Sequence, residues 1–95
     1  MLGELLSIDD AKLHLSIIRK IATRVGFRTT GASSVGEALN LLRANSFDCI
    51  TLDLSLGERS GTEVLILLAE LKSRTPVILI SGSEDDASEE ALSFG

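Results

Sequence analysis

Cysteine is almost missing from this 95-residue chain, where Cys49 stands alone. A single thiol excludes an internal disulfide framework and any multi-cysteine zinc site. Tryptophan and tyrosine are absent and the only aromatics are Phe27, Phe47 and Phe94, too few for a platform on which single-stranded bases stack. Basic residues number nine against fourteen acids, a net charge of −5, the wrong sign for general attraction to phosphate backbones. No apolar run approaches the ~18 residues of a membrane span. The opening MLGELLSIDD carries no basic stretch ahead of a long apolar region, so no signal peptide is expected. These absences lead to the expectation of a cytoplasmic domain that touches neither nucleic acid nor membrane. A cation, or a partner presenting basic groups, suits the charge.

What is present is an ordinary globular balance, 44% apolar and 24% charged, enough for one small domain over residues 1–95. Leu5 to Ile8 reads as a short strand. Asp10 is placed to cap a following helix, with Leu13, Ile17, Ile18, Ile21 and Val25 at helical spacing and Gly26 as its end. Phe27 to Ala32 forms a second, weaker strand. Ser34 and Glu37 make a capping box ahead of Val35, Ala38, Leu39 and Leu42. Phe47 to Leu54 is a third strand, and Gly57 and Gly61 mark the loop after it. Ser60 to Glu63 has the form of a second capping box, opening a helix with Val64, Leu68 and Leu71 inward. After Pro76, Val77 to Ile80 is apolar without alternation, the pattern of a strand buried on both faces. An acid-rich turn from Ser83 leads to a last helix with Ala87, Ala91 and Phe94 on one side.

Strands alternating with helices imply a doubly wound parallel α/β sheet with right-handed crossovers. Ligands of such sheets bind at the carboxyl ends of the strands, where strand order reverses. The predicted strand ends carry Asp9 and Asp10, then Asp53, then Ser81 followed by Gly82. Three carboxylates gathered on one rim repel one another unless a cation intervenes. A donor set of oxygens alone selects a hard cation, commonly Mg²⁺. Singly, each residue has a plainer explanation: a helix cap, a loop start, a turn. Their joint appearance at the ends of three strands is the functional signal.

The segments LLSIDD, DCITLDLSLGERSG and TPVILISG together resemble the receiver domain of bacterial two-component response regulators, and the resemblance covers essentially the whole chain. It implies a flavodoxin-like fold with four of the usual five βα units, in strand order 2-1-3-4. It implies that Asp53 is the phosphoacceptor, taking a phosphoryl group from a histidine kinase or phosphotransfer protein. Asp9, Asp10, Asp53 and the backbone carbonyl of Ser55 would then hold Mg²⁺. Ser81 would be the switch hydroxyl, and Ser55 and Ser83 would adjust the lifetime of the acyl phosphate. The module would not be an independent enzyme, beyond Mg²⁺-dependent gain and loss of its own phosphoryl group.

The sequence departs from the family in three places. The fifth strand with its Lys-Pro pair, and the fifth helix, have no counterpart before Gly95; Lys12 on the first helix is a poor substitute for that lysine. Gly57 stands where the family usually has proline, which should loosen the loop. Without the fifth unit, the Val77 to Ile80 strand becomes a pairing edge and apolar surface beside the first helix is uncovered. Self-association through that edge, segment exchange, or continuation of the natural chain is therefore expected. Two other readings compete: a receiver-like interaction or dimerisation domain independent of phosphorylation, and a Mg²⁺-dependent phosphatase. The second is opposed by the adjacent Asp9-Asp10 in place of a spaced pair and by the lack of any Lys after Lys72. His14 reads as a partly exposed helical residue without an acid–base neighbour, Cys49 as a buried small hydrophobe. The acids from Glu84 to Glu90 read as a solvated helix start. Ile66 reads as a surface isoleucine or a contact site.

Overall fold

Four parallel strands form the centre of the molecule. The computed structural model describes residues 2–56 and 59–80, the side chains of 55, 56, 59 and 60 excepted. Its elements are β1 (Gly3–Ile8), α1 (Lys12–Val25), β2 (Phe27–Ala32), α2 (Val35–Ala44), β3 (Cys49–Asp53), β4 (Ser55–Leu56), β5 (Arg59–Ser60), α3 (Thr62–Glu70) and β6 (Val77–Ile80). The main sheet has the order β2-β1-β3-β6, all parallel. Counting only its strands, this is the expected 2-1-3-4. The expected last helix, with Ser81, Ser83 and the Glu84 to Glu90 acids, lies outside the described residues, as does Gly57.

The order fixes where the helices go. From β1 the chain steps outward to β2, then crosses back over β1 to β3 and on to β6. Right-handed connections running in opposite directions place their helices on opposite faces. Thus α1 covers one face, and α2 and α3 share the other. Burial agrees: Leu6, Ile8, Ile50 and Leu52 join Val35, Ala38 and Leu42 of α2 and Val64, Leu67 and Leu68 of α3 in one core, and no α1 residue belongs to it.

Local chemistry explains most of the boundaries. Gly26 ends α1 at φ 101°, with its N–H donating to Ala22 and Thr23 carbonyls; only glycine takes this left-handed cap without steric cost. The Ser34 capping box forms, the Glu37 N–H donating to Ser34 Oγ at 3.2 Å. Its return bond goes to Ser33 rather than Ser34, the Ser33 N–H donating to Glu37 Oε1 at 2.8 Å.

Several expectations need correction. The N-cap of α1 is Ala11, not Asp10, because the carboxylate that accepts the Ala11 N–H is that of Asp9, at 2.9 Å. Of the expected stripe, Leu13, Ile17, Ile21 and Val25 face outward; Ile18 alone turns toward the sheet, joined by Leu15 and Ala22. Helix α3 begins after Gly61, one residue later than read, and the Ser60 side chain of the expected second capping box lies outside the described residues. Leu67 takes the inner place expected for Leu71, which is exposed. Strand β6 is not buried on both faces: Val77 and Leu79 pack on the core, while Ile78 is 55% exposed, because β6 is the outermost strand among the described residues. Cys49 is only half-buried, and Ile66 lies at the surface.

Candidate functional site: the acidic rim at the strand ends

Register alone brings two carboxylates together. In the parallel pair β1–β3, Ser7 lies opposite Thr51. Two residues further along each strand, on the same face, come Asp9 and Asp53. The pair behind them is polar and closed, the Thr51 hydroxyl donating to Ser7 Oγ at 2.9 Å in a buried setting. Asp9 and Asp53 are themselves 1% and 5% exposed. They stand at the carboxyl ends of adjacent central strands, between which the chain reverses its direction across the sheet. Carboxylates are rarely buried without compensation, so their joint burial on a ligand-binding edge is the mark of a site.

Asp9 is held on three sides. Its backbone N–H donates to the Ala32 carbonyl at 3.0 Å, which ties the strand end to β2. Its Oδ1 accepts from Ala11, fixing the entry to α1. Its Oδ2 lies 3.0 Å from His14 Nδ1, within hydrogen-bond distance. The histidine is 53% exposed. One donor atom each from Asp9, His14 and Asp53 falls within a 4.8 Å envelope.

Asp53 is positioned from behind by the chain that follows it. β4 and β5 form a short antiparallel hairpin that returns Gly61 to the strand end, where the Gly61 N–H donates to the Leu54 carbonyl at 3.2 Å. A β-carbon on Gly61 would stand 2.9 Å from the Asp53 carbonyl oxygen and 3.1 Å from Leu54 Cα. The spacing from Asp53 to Gly61 therefore has a steric cause: the returning backbone touches the backbone of the aspartate it supports.

The expected residues are distributed unevenly. Asp9 and Asp53 meet as expected. Asp10 is exposed and lies outside the close group of three, since Asp9 continues the inward row of Leu5 and Ser7 and the next side chain turns to solvent. The Ser55 backbone directly follows Leu54 in β4, beside the rim, and Ser81 falls outside the described residues. His14 was missed, because its acidic neighbour is five residues away and the helix start was placed around Asp10. With the helix beginning at Lys12, His14 is in its first turn, next to the Asp9 carboxylate that accepts from Ala11.

An open, doubly wound parallel sheet with an acidic site at its switch point defines the class. Within that class the sequence model described as the response regulator receiver domain matches residues 5–95. A transcriptional regulatory protein of Bacillus subtilis, YvrH, is 31% identical over 86 residues, which are 90% of this chain and 36% of that protein. The chain thus spans about a third of the length of that relative. The receiver domain of Francisella response regulator 1452 superposes with a TM-score of 0.84 at 30% identity, covering 98% of this chain and 78% of that one. A Burkholderia pseudomallei response regulator, solved with a phosphorylated aspartic acid, calcium ion and citrate, gives 0.80 at 29% identity, covering 97% and 55%. The chain belongs to the response regulator receiver domain family.

Proposed function

We propose that the chain is a phosphoacceptor module in which Asp53 takes a phosphoryl group from a phosphohistidine of a histidine kinase or phosphotransfer protein. The observation that carries this reading is the burial of Asp9 and Asp53 side by side at the sheet's switch point. The relative from Burkholderia, with its phosphorylated aspartic acid and calcium ion, supports it. A carboxylate oxygen of Asp53 forms the new O–P bond as the N–P bond of the donor breaks, and the donor imidazole leaves with a proton. The hairpin and Gly61 hold the Asp53 backbone still during transfer, so the reaction gains from positioning. Asp9 contributes a fixed negative charge anchored by Ala11 and His14.

The donor set fits a divalent cation, with two buried carboxylates close enough to share one ion. Bound there, Mg²⁺ would neutralise the rim and the phosphoryl oxygens. Asp9 and Asp53 would hold it, and the resemblance adds Asp10 and the Ser55 carbonyl. Ser81 is the hydroxyl assigned to read the phosphoryl group and bias an output surface. The domain acts in the cytoplasm, on no external substrate, and without contacting nucleic acid or membrane itself. Among the described residues, no helix is long and apolar enough to cross a membrane.

Intact-mass analysis after incubation with Mg²⁺ and a small acyl phosphate tests this. One added phosphoryl group is expected, removed by Asp53→Asn and weakened by Asp10→Asn. An unmodified chain, under conditions that modify another receiver, would favour the alternative of a phosphorylation-independent interaction or dimerisation domain. That alternative draws on a specific observation, the outward apolar stripe of Leu13, Ile17, Ile21 and Val25 together with exposed Ile78. Through this face, the β6 edge, or segment exchange, self-association is proposed under either reading.

A further inference from the structure

We propose that the groove between α1 and β2 is a docking site for an extended acidic segment of a partner protein, which adds to the free edge of β2 as a further strand. The inference goes beyond the phosphoacceptor reading and does not depend on it.

Charge is distributed unevenly along the chain. Residues 11–36 carry five bases, Lys12, Arg19, Lys20, Arg24 and Arg28, and no acid, while all fourteen acids fall outside them. A protein of net charge −5 therefore contains one basic unit, α1 with β2. Lys12 and Arg19 are exposed, and neither forms an ion pair among the described residues. Seven positions apart on α1, they share one helical face and stand about 10 Å from one another along the axis. They flank a groove of about 400 Å³ whose far side is β2, with Thr29 and Gly31. The one acid at this groove, Glu37, is already engaged by the Ser33 N–H.

The strand supplies the second half of the site. Among the described residues β2 is an outermost strand and pairs only with β1. Its Ala32 carbonyl accepts from Asp9, and backbone groups alternate in direction along a strand. Those of Thr29 and Gly31 therefore point away from the sheet, beside the groove. Such a row is a template for a further strand. The Thr29 hydroxyl is also buried with no hydrogen-bond partner among the described residues, a donor that an incoming acceptor would satisfy. Gly31 keeps the passage open, since a β-carbon there would stand 3.6 Å from Leu15. The groove is open and mostly polar, unlike the enclosed apolar pockets that take small ligands. An extended peptide instead bonds to the edge through its main chain, and the side chains it turns toward Lys12 and Arg19 fit best as Glu or Asp.

A labelled peptide in which glutamate alternates with valine is the probe. Titrated into the full chain at low salt and followed by fluorescence anisotropy and amide NMR, it should bind and protect the Thr29 and Gly31 amides from hydrogen exchange. The double variant Lys12→Glu, Arg19→Glu should weaken binding about tenfold, the scale of two exposed ion pairs turned to repulsion. Gly31→Val fits a strand but fills the groove. It should weaken binding as much while leaving phosphorylation of Asp53 intact, so this proposal and the phosphoacceptor reading fail separately. No binding of the probe, or equal affinity in wild type and both variants, overturns the site. Binding of equal strength by a peptide N-methylated along its main chain, or by a single-stranded oligonucleotide of the same charge, overturns strand addition.

Discussion

Under α2 and α3 the central strands present Leu6, Ile8, Ile50 and Leu52, each at most 1% exposed and closed over by apolar helix residues. On the α1 side the same strands present Ser7 and Thr51, bonded to each other, and β6 offers Ile78 to solvent. Helix α1 keeps only Ala22 fully buried, while four of its large apolar side chains point outward. The first face is built to hold the fold together. The second carries the site: the row that begins with Leu5 and Cys49 runs through Ser7 and Thr51 to Asp9 and Asp53. A polar row of this kind contributes little to apolar burial, so stability has to come from the other side of the sheet.

Substitutions on the two faces sharpen that contrast. The largest effect is expected for Leu52→Ala, which opens a cavity in the closed core and should lower unfolding free energy by about 2–5 kcal/mol in urea titrations. Gly61→Ala comes next. Its β-carbon meets backbone that cannot swing away, a clash expected to cost about 1–3 kcal/mol and also to slow phosphorylation of Asp53 by shifting its main chain. A Gly61→Ala protein with unchanged stability and unchanged phosphorylation would contradict the steric account of the Asp53-to-Gly61 spacing.

Thr51→Val strands the buried Ser7 hydroxyl and should cost about 1–3 kcal/mol, whereas adding Ser7→Ala should recover part of the loss. Additive losses in the double variant would mean that the two hydroxyls do not act as a pair. The smallest effect on stability is expected on the outward stripe of α1. Ile21→Lys should change unfolding free energy by no more than about 0.5 kcal/mol. The same variant should reduce self-association measured by sedimentation. A loss as large as that of Leu52→Ala would show that the α1 face is closed in solution and would end the contrast between the faces.

Much of the fold was legible because local signals agreed with it. Ser34 caps α2 with Glu37 beside it, Gly26 stops α1, and apolar runs mark three of the four strands of the main sheet, β2 being the weaker one. The failures fall where packing, not pattern, decides. The Leu13 to Val25 stripe has perfect helical period, yet the sheet receives the neighbouring face with Leu15, Ile18 and Ala22. An apolar stripe states that a helix has a contact face without stating which element fills it. The start of α3 is displaced by packing as well: Gly61 is drawn against Asp53 and Leu54, and the helix starts one residue later than the sequence implies.

The candidate site divides in the same way. Alternation and strand ends were enough to bring Asp9 and Asp53 into one proposal, because a strand's pleat dictates which residues share a face. Choosing between Asp9 and Asp10 as the inward carboxylate required the register of β1 against β3. Finding His14 required the exact first residue of α1, since a shift of one position turns a helical side chain by roughly 100°.

The order of apolar runs, caps and breakers thus determined which segments become strands and helices, and which residue types arrive at the strand ends. Only the tertiary structure decided that Asp10 faces solvent, that His14 stands at hydrogen-bond distance from Asp9, and that one side of the sheet is closed while the other keeps apolar surface exposed. Local preferences act through bonds between near neighbours in the chain. These other outcomes depend on register and on helix docking, where contacts between distant segments set the rotation of each element.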